Sequence, residues 1–283
     1  MSSIRRPEHQ APADTFYNEA EARKYTTNTR MMQIQNDMTE RALELLNLPS
    51  EVPCFVLDLG CGSGLSGEVV EESGHYWVGM DISGSMLGVA REREVEGDLI
   101  LGDMGDGIPF RAGAFDGAIS ISALQWLCNA DKSYHKPHKR LLAFFSSLYG
   151  SLSCGARAVF QFYPENNQQI EMITGASMRA GFTGGIVVDY PNSTKAKKFF
   201  LVLMTGGVSA LPKALGAEDE QAHISAATIR NELKRARVKR LRGGKPLKKS
   251  REWIQEKKER RRRQGRETRP DSKFTGRKRS GRF

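Results

Sequence analysis

Three glycines at alternate positions, preceded by an aspartate, could bind a nucleotide. They are Gly60, Gly62 and Gly64, and Asp58 stands two residues before the first of them in a short apolar run. Glycine lets the backbone turn tightly and approach a ligand where a Cβ atom would collide. A second apolar run ends in Asp81, whose carboxylate at the tip of a neighbouring strand could accept hydrogen bonds from a ribose diol. The pattern therefore predicts a nucleotide-like ligand.

The spacing of these glycines favours one class of ligand. It is G-x-G-x-G, whereas dinucleotide-binding proteins have G-x-G-x-x-G, and the chain has no G-x-x-x-x-G-K-[ST] phosphate loop. Asp58 would repel a pyrophosphate but suits a ligand that carries an ammonium and a sulfonium. The run D-L-G-C-G-S-G resembles the first motif of class I S-adenosyl-L-methionine-dependent methyltransferases, and Asp81 resembles their second. The resemblance implies S-adenosyl-L-methionine as the cofactor and an α/β, Rossmann-like seven-stranded class I methyltransferase fold.

A doubly wound sheet binds its ligand outside the carboxyl ends of its strands, which selects the residues after the first two strands. Cys61 and its two flanking glycines would direct backbone N–H groups and a helix N-terminus at the ligand. By the same resemblance, Asp81 would hold the ribose and Ile82 would flank the adenine. The alternative for Asp81 is the N-cap of the following helix, a position that Ser83 could fill equally well.

The third and fourth strands add further candidates by the same resemblance. After the third strand, Asp103 would accept a hydrogen bond from the adenine amino group and Met104 would pack on the ring. The alternative is a solvated turn, because aspartate and glycine are frequent in turns. On the fourth strand, Ser120 and Ile121 would line the channel for methyl transfer.

Two residues beyond the fourth strand could orient a substrate. Gln125 and Trp126 combine an amide donor with an aromatic ring, and together they could sandwich and align a planar base, as base-modifying enzymes do. The alternative is that Trp126 simply packs on the following helix. We predict Gln125 and Trp126 as the catalytic pair and leave both interpretations open.

The N-terminal region predicts a helical lid. Apolar residues in Asp14–Leu46 recur at helical spacing, and Pro49 and Pro53 end the segment. Tyr25 resembles the residue that many class I methyltransferases fold over the cofactor. The same segment could equally be a surface helix with intrahelical pairs of glutamate with lysine or arginine.

Strands and helices alternate in the middle of the chain, which indicates a parallel sheet with crossover helices. We assign residues 1–50 to the lid, 51–205 to the cofactor-binding methyltransferase domain and 206–283 to a basic, largely extended or helical tail. The predicted strands are Cys54–Leu59, Tyr76–Asp81, Asp98–Gly102, Phe115–Ser122, Ala156–Tyr163, Gly185–Tyr190 and Lys198–Met204, and the predicted helices are Gly64–Ser73, Gly84–Glu92, Leu141–Leu152 and Gln168–Ala180.

The chain divides into an acidic body and a basic tail. Residues 230–283 hold 24 Lys and Arg residues against 6 Asp and Glu, whereas residues 1–229 hold 19 against 27. The dense basic clusters at 234–240 and 257–263 are typical of solvated arms, of nuclear-import signals and of phosphate-binding segments, and these three functions are compatible. We predict that the tail contacts RNA phosphates, with a strong dependence on salt.

Metal, disulfide and membrane functions are not indicated. The four cysteines show no C-x-x-C spacing, which predicts reduced thiols. His135 and His138 form H-x-x-H with no further Cys or His nearby, which favours a solvated loop over a metal site. No segment approaches the roughly 18 apolar residues of a membrane span, and Met1–Pro12 is too polar for a secretory signal. We expect an intracellular protein.

Motifs along essentially the whole chain resemble one family, the eukaryotic methyltransferase that makes N7-methylguanosine in small-subunit ribosomal RNA. Beside the cofactor motifs they include R-R-P-E at 5–8, F-Y-N-E-A-E-A-R-K-Y-T at 16–26, N-N-Q-Q at 166–169, G-G-I-V-V-D-Y-P-N-S-T-K-A-K-K at 184–198, W-I-Q-E-K-K-E at 253–259 and K-F-T-G-R-K-R at 273–279.

This resemblance implies work on ribosomal RNA and pre-ribosomal particles in the nucleoplasm and nucleolus, with the cytoplasm as a second location. It also implies a heterodimer with a small zinc-binding activator subunit, which would carry the zinc. The third strand would lie at a sheet edge that requires cover. The rival hypotheses are an enzyme that acts on a protein or small molecule, and a non-catalytic assembly factor that uses the cofactor fold as a scaffold.

Overall fold

A computed structural model of the chain describes residues 6–49, 52–193, 196–206, 211–216, 251–263 and 268–271. The chain separates into two compact units, Met1–Ile229 and Arg230–Phe283. The basic cluster at 234–240 lies outside the described residues. The division at residues 50 and 205 stays a prediction.

One seven-stranded sheet organises the first unit. Its strands are β1 (Phe55–Leu59), β2 (Tyr76–Asp81), β3 (Asp98–Leu101), β4 (Phe115–Ile121), β5 (Leu152–Phe162), β6 (Thr183–Asp189) and β7 (Lys198–Met204). They lie in the order β3-β2-β1-β4-β5-β7-β6, and only β7 runs antiparallel to its neighbours. This order confirms the predicted α/β, Rossmann-like seven-stranded methyltransferase fold.

Helices α3 to α7 pack on the strands and cover both faces of this sheet. The α-helices of the first unit are α1 (Ala13–Phe16), α2 (Glu19–Thr27), α3 (Thr29–Leu46), α4 (Leu65–Glu72), α5 (Gly84–Glu92), α6 (Pro137–Ser151) and α7 (Asn167–Arg179). Alternate residues of β1 enter two separate apolar clusters, because successive side chains of a strand point to opposite faces. Leu57 and Leu59 pack with Phe144 of α6, whereas Val56 packs with Leu45 of α3. The sheet is therefore buried on both sides, as parallel sheets are.

The N-terminal helix predicted over Asp14–Leu46 is three helices instead of one. Asn18 caps α2 by accepting a hydrogen bond from the backbone N–H of Glu21 at 3.1 Å. Asn28 ends α2 and caps α3 by accepting from the N–H of Met31 at 3.1 Å. Asparagine favours such cap positions because its side chain satisfies an N–H that has no intrahelical partner. The helical periodicity on either side of each asparagine masked the two breaks.

Two further boundaries differ from the prediction by four residues, and several others differ by one or two. Helix α6 begins at Pro137, one turn before the predicted Leu141, because proline is tolerated in the first turn of a helix. Strand β5 begins at Leu152, four residues before the predicted start. Leu152 pairs with Phe115 and Arg157 pairs with Gly117, so the early part of β5 precedes a register shift that no apolar run signals.

The second unit contains helix α8 (Arg251–Arg263). Lys258 Nζ of this helix lies 2.8 Å from the carboxylate of Asp271, which also pairs with Arg262. None of the helices among the described residues is long and apolar enough to cross a lipid bilayer.

Candidate active site

One cavity opens at the carboxyl ends of β1 to β4, where the doubly wound topology predicts a ligand. The free space inside it and at its open mouth together amounts to about 950 Å³. Ten of the residues predicted from the sequence line it, namely Tyr25, Gly60, Cys61, Gly62, Asp81, Ile82, Asp103, Met104, Ile121 and Trp126.

The loop after β1 forms the floor of this cavity because its glycines adopt backbone conformations that other residues avoid. Gly60 and Gly62 have φ angles of 73° and 53°. A Cβ atom at Gly60 would overlap the Cβ of Ala123, and one at Gly62 would approach Met86 Cε to 2.9 Å. The absence of these side chains keeps space open between the loop and the residues opposite.

Asp81 joins this loop to the helix that follows β2. One carboxylate oxygen accepts from the backbone N–H of Gly62 at 2.8 Å and the other accepts from the N–H of Ser83 at 2.8 Å. Ser83 itself caps α5 by accepting from the N–H of Met86, so the cap alternative for Asp81 is not the one the structure adopts. Burial raises the pKa of Asp81, while the backbone hydrogen bonds oppose that rise.

Asp58 lies beneath the loop and does not line the cavity. It is completely buried, and one of its oxygens accepts from the hydroxyl of Ser66 at 2.5 Å. The other oxygen has no hydrogen-bond partner among the described residues. Desolvation raises the pKa of Asp58 from 3.8 to about 7. A buried carboxylate that lacks a counter-charge fits a site for a cationic ligand such as S-adenosyl-L-methionine.

The pH dependence of stability should reveal the buried Asp58 carboxyl. Because its folded pKa is raised, its contribution to stability is complete below about pH 4 and is lost as the pH rises through 7. Asp58→Asn cannot ionise and keeps an acceptor for Ser66. Without cofactor, we expect the wild type to lose on the order of 2 kcal/mol relative to Asp58→Asn between pH 5 and pH 8. Denaturant unfolding at several pH values measures this difference, and parallel curves for the two proteins would contradict the assignment.

Asp103 lines the cavity, and its carboxylate binds Arg140, a residue that was not predicted from the sequence. Nη2 of Arg140 donates to its two oxygens at 2.5 and 2.6 Å, and the N–H of Gly105 donates to one of them at 2.8 Å. Asp103 thus caps a short 3₁₀ turn and at the same time forms an ion pair with Arg140. The side chain of Asp103 is 18% exposed and that of Arg140 is 9% exposed. Asp103 therefore lies in a turn, as the alternative predicted, but its carboxylate is paired with Arg140 and is not fully solvated.

Aromatic residues from the N-terminal helices cover the cavity. Tyr17 and Tyr25 line it, their rings lie 6.1 Å apart, and the ring of Tyr17 lies 5.8 Å from that of Trp126. Burial raises the pKa of Tyr17 to about 12 and raises that of Tyr25 as well. The surface-helix interpretation holds for other residues of α2, since Lys24 pairs with Glu21 on its exposed side. Tyr17 was not predicted, although an aromatic eight residues before Tyr25 is the signal that could have found it.

Gln125 and Ser120 do not line the cavity, in contrast to their predicted roles. The 3₁₀ turn Leu124–Cys128 places Trp126 on the cavity but turns Gln125 back, so that its Nε2 donates to the carbonyl of Ser122 at 2.9 Å. Ser120 is completely buried within β4. Trp126 borders the cavity and its ring packs on Phe16 and Tyr17 of the N-terminal region, whereas its role toward a base stays a prediction.

His135 and His138 do not form a metal site within the described part of the chain, which contains no group of three or more potential His, Cys, Asp or Glu ligands. Nδ1 of His135 lies 3.1 Å from Nη1 of Arg140, which also binds Asp103.

The doubly wound sheet, the glycine loop, the buried carboxylate of Asp58 and the half-buried carboxylate of Asp81 together define a class I S-adenosyl-L-methionine-dependent methyltransferase. The chain is 59% identical over 282 residues to the Mus musculus 18S rRNA (guanine-N(7))-methyltransferase, with 100% of this chain and 99% of that protein covered. It belongs to the family of 18S rRNA (guanine-N(7))-methyltransferases, as the sequence motifs predicted.

Further comparisons agree with this membership. The Saccharomyces cerevisiae 18S rRNA (guanine(1575)-N(7))-methyltransferase is 53% identical over 283 residues, which cover 98% of this chain and 99% of that protein. Family models described as "Methyltransferase domain" and "Methyltransferase involved in Williams-Beuren syndrome" match residues 57–143 and 203–281. A solved Haemonchus contortus phosphoethanolamine N-methyltransferase 2 shares the fold, with a TM-score of 0.52 at 16% identity, over 68% of this chain and 58% of that one.

Proposed function

We propose that this protein transfers a methyl group from S-adenosyl-L-methionine to N7 of a guanine in small-subunit ribosomal RNA. The observation that carries the proposal is the cavity, in which a glycine loop, a buried carboxylate and an aromatic cover meet in a chain of this family. The acidic body and the basic tail support an RNA substrate, because the tail supplies phosphate contacts that the body lacks.

The cofactor-binding roles that we propose follow from the positions of the side chains. Asp81 holds the ribose from its fixed place beside the glycine loop, and Ile82 flanks the adenine. Asp103 accepts from the adenine amino group, with Met104 against the ring. The buried Asp58 stabilises the positive charge of the cofactor through the loop above it, and Tyr25 closes the cavity.

The chemistry asks little of the protein beyond alignment. When bound, S-adenosyl-L-methionine supplies a methyl group on a positively charged sulfur. Guanine N7 is a nucleophile that carries no proton, so the transfer needs orientation more than a general base. We assign Trp126 to packing against the target base, because it borders the cavity and is held by Phe16 and Tyr17.

Mapping of N7-methylguanosine in ribosomal RNA tests the function directly. RNA from cells that lack this protein should lose one N7-methylguanosine of the small subunit, and the wild-type chain should restore it. An Asp81→Ala chain should restore small-subunit assembly without the methyl group if the protein also acts as a scaffold. Retention of every N7-methylguanosine in the deleted cells would instead favour a non-catalytic assembly factor.

We also propose a partner for the edge of the sheet, a small zinc-binding activator subunit. Strand β3 forms one edge, and Leu101 at its end is 65% exposed. An uncovered parallel edge offers unpaired N–H and C=O groups, and an apolar side chain beside it favours association. A second protein that adds a strand or loop to β3 would cover both features.

Expression of the chain alone should therefore give a poorly soluble protein, and co-expression with the activator should rescue it. Leu101→Asp should raise the solubility of the chain alone and weaken its capture of the activator. Met178→Asp is a matched control, because Met178 is 45% exposed on α7, which follows β5, and three strands separate β5 from the β3 edge. A monodisperse wild-type monomer with full activity would count against the partner.

We further propose that the protein works in the nucleus and nucleolus, where small-subunit precursors assemble. The basic clusters of the second unit suit an import signal as well as RNA binding.

A further inference from the structure

A short segment at the mouth of the cavity has the chemistry of an RNA-binding surface. We define it as the lip, residues 131–139, which link the 3₁₀ turn bearing Trp126 to the first turn of α6. Asp131 at its start and Arg140 just beyond its end both line the cavity. Any substrate that enters the cavity from this side passes over the lip.

The lip presents an exposed aromatic ring. The side chain of Tyr134 is 71% exposed, although it is large and largely apolar. Lys132 Nζ lies 5.9 Å from the centre of its ring, and the ring of His135 meets it edge to face at 4.8 Å. An exposed aromatic ring with a cation nearby is the arrangement on which nucleic-acid bases stack.

The charge of the lip opposes that of the unit that carries it. Lys132, Lys136 and Lys139 are all exposed, and Asp131 is the one acid in the segment. Residues 1–229 as a whole carry more acidic than basic residues. Phosphates are repelled by most of this unit, so a local basic segment beside the cavity is where RNA can approach it.

A side chain of the cavity wall, that of Arg140, contacts the lip. Arg140 contacts His135 of the lip at 3.1 Å and holds the Asp103 carboxylate through the same guanidinium. A base stacked on Tyr134 would thus be held at a fixed distance from the site of methyl transfer.

We propose that Tyr134 stacks on a base that neighbours the target guanosine, and that Lys132 and Lys136 contact the flanking phosphates. This proposal rests on the proposed function and adds how the RNA is positioned. The tail supplies general affinity for RNA, and the lip determines which nucleotide enters the cavity. An acidic segment of a protein partner would need the lysines but would gain little from the exposed ring of Tyr134.

Methylation kinetics of the full-length chain, co-expressed with its activator, test the lip. The substrate is 18S ribosomal RNA from cells that lack this protein. Tyr134→Ala should raise the KM for RNA roughly ten-fold, because the base that stacks on the ring loses its aromatic partner. The Kd for S-adenosyl-L-methionine should stay within two-fold, and Tyr134→Phe should behave as the wild type. Tyr76→Ala is the matched control, since Tyr76 is 70% exposed at the opposite end of the sheet, where β2 begins.

Two outcomes separate this proposal from the function on which it rests. A wild-type chain that methylates the RNA, together with a Tyr134→Ala chain as active as Tyr76→Ala, overturns the lip and leaves the enzyme intact. A wild-type chain that makes no N7-methylguanosine overturns the proposed function itself. Substitution of Lys132 and Lys136 by alanine should also flatten the salt dependence of the KM, and an unchanged slope would contradict the phosphate contacts.

Discussion

Gly60→Glu is expected to abolish cofactor binding, with a loss of at least about 100-fold in affinity for S-adenosyl-L-methionine. Gly60 lines the cavity at a φ angle of 73°, and any side chain there would meet Ala123 on the opposite wall. Glutamate would add a negative charge and fill the space that the loop leaves open. Isothermal titration calorimetry with the purified protein measures the effect, and activity toward RNA should fall with it.

Two companion variants keep this result interpretable. Gly88→Glu places the same side chain on the exposed face of α5, where no atom lies within 4 Å of the added Cβ, and should bind the cofactor normally. Gly62→Ala is a milder change, because its Cβ would meet only the flexible end of Met86 at 2.9 Å, and should weaken binding without unfolding the protein. An unchanged affinity in a folded Gly60→Glu protein would remove the glycine loop from the cofactor site.

Local signals in the sequence were sufficient to place two of the strands and one helix. Strands β2 and β7 and helix α5 begin and end where they were predicted, because apolar runs end at a charged residue or at Ser83, a strong cap. The breaks at Asn18 and Asn28 were missed, since each cap interrupts an otherwise continuous helical periodicity. The early start of β5 depends on pairing with β4, which the order of residues along one strand does not encode.

The residues of the candidate site also fall into two groups, those that could be placed from the sequence and those that could not. Residues that follow a strand could be placed from the topology alone, which is why Asp81, Ile82 and Met104 line the cavity as predicted. Arg140 could not, because its partner Asp103 lies 37 residues earlier and only the packed helix α6 brings them together. Gln125 was assigned from its residue type, but the 3₁₀ turn decides its direction, and the sequence carries no clear sign of that turn.

Removal of residues 230–283 should leave cofactor binding intact and should remove most of the affinity for RNA. The residues that line the cavity lie between Ala13 and Arg140, so the second unit contributes none of the cavity's described walls. The truncated chain should therefore bind S-adenosyl-L-methionine within about two-fold of the wild type. Calorimetry of the two proteins checks this first half of the prediction.

The salt dependence of RNA binding should also change on truncation, because the deleted segment holds 24 Lys and Arg residues against 6 Asp and Glu. If only six of these cations contact phosphates, RNA binding should weaken roughly 100-fold or more between 50 and 200 mM salt, and most of that dependence should vanish with the tail. Nuclear accumulation should fall as well, since both dense basic clusters are lost. Filter binding over a salt series and imaging of tagged chains measure these effects. A truncated chain that keeps the wild-type salt slope and still enters the nucleus would show that the acidic body binds RNA through contacts of its own, with the lip as the first place to search for them.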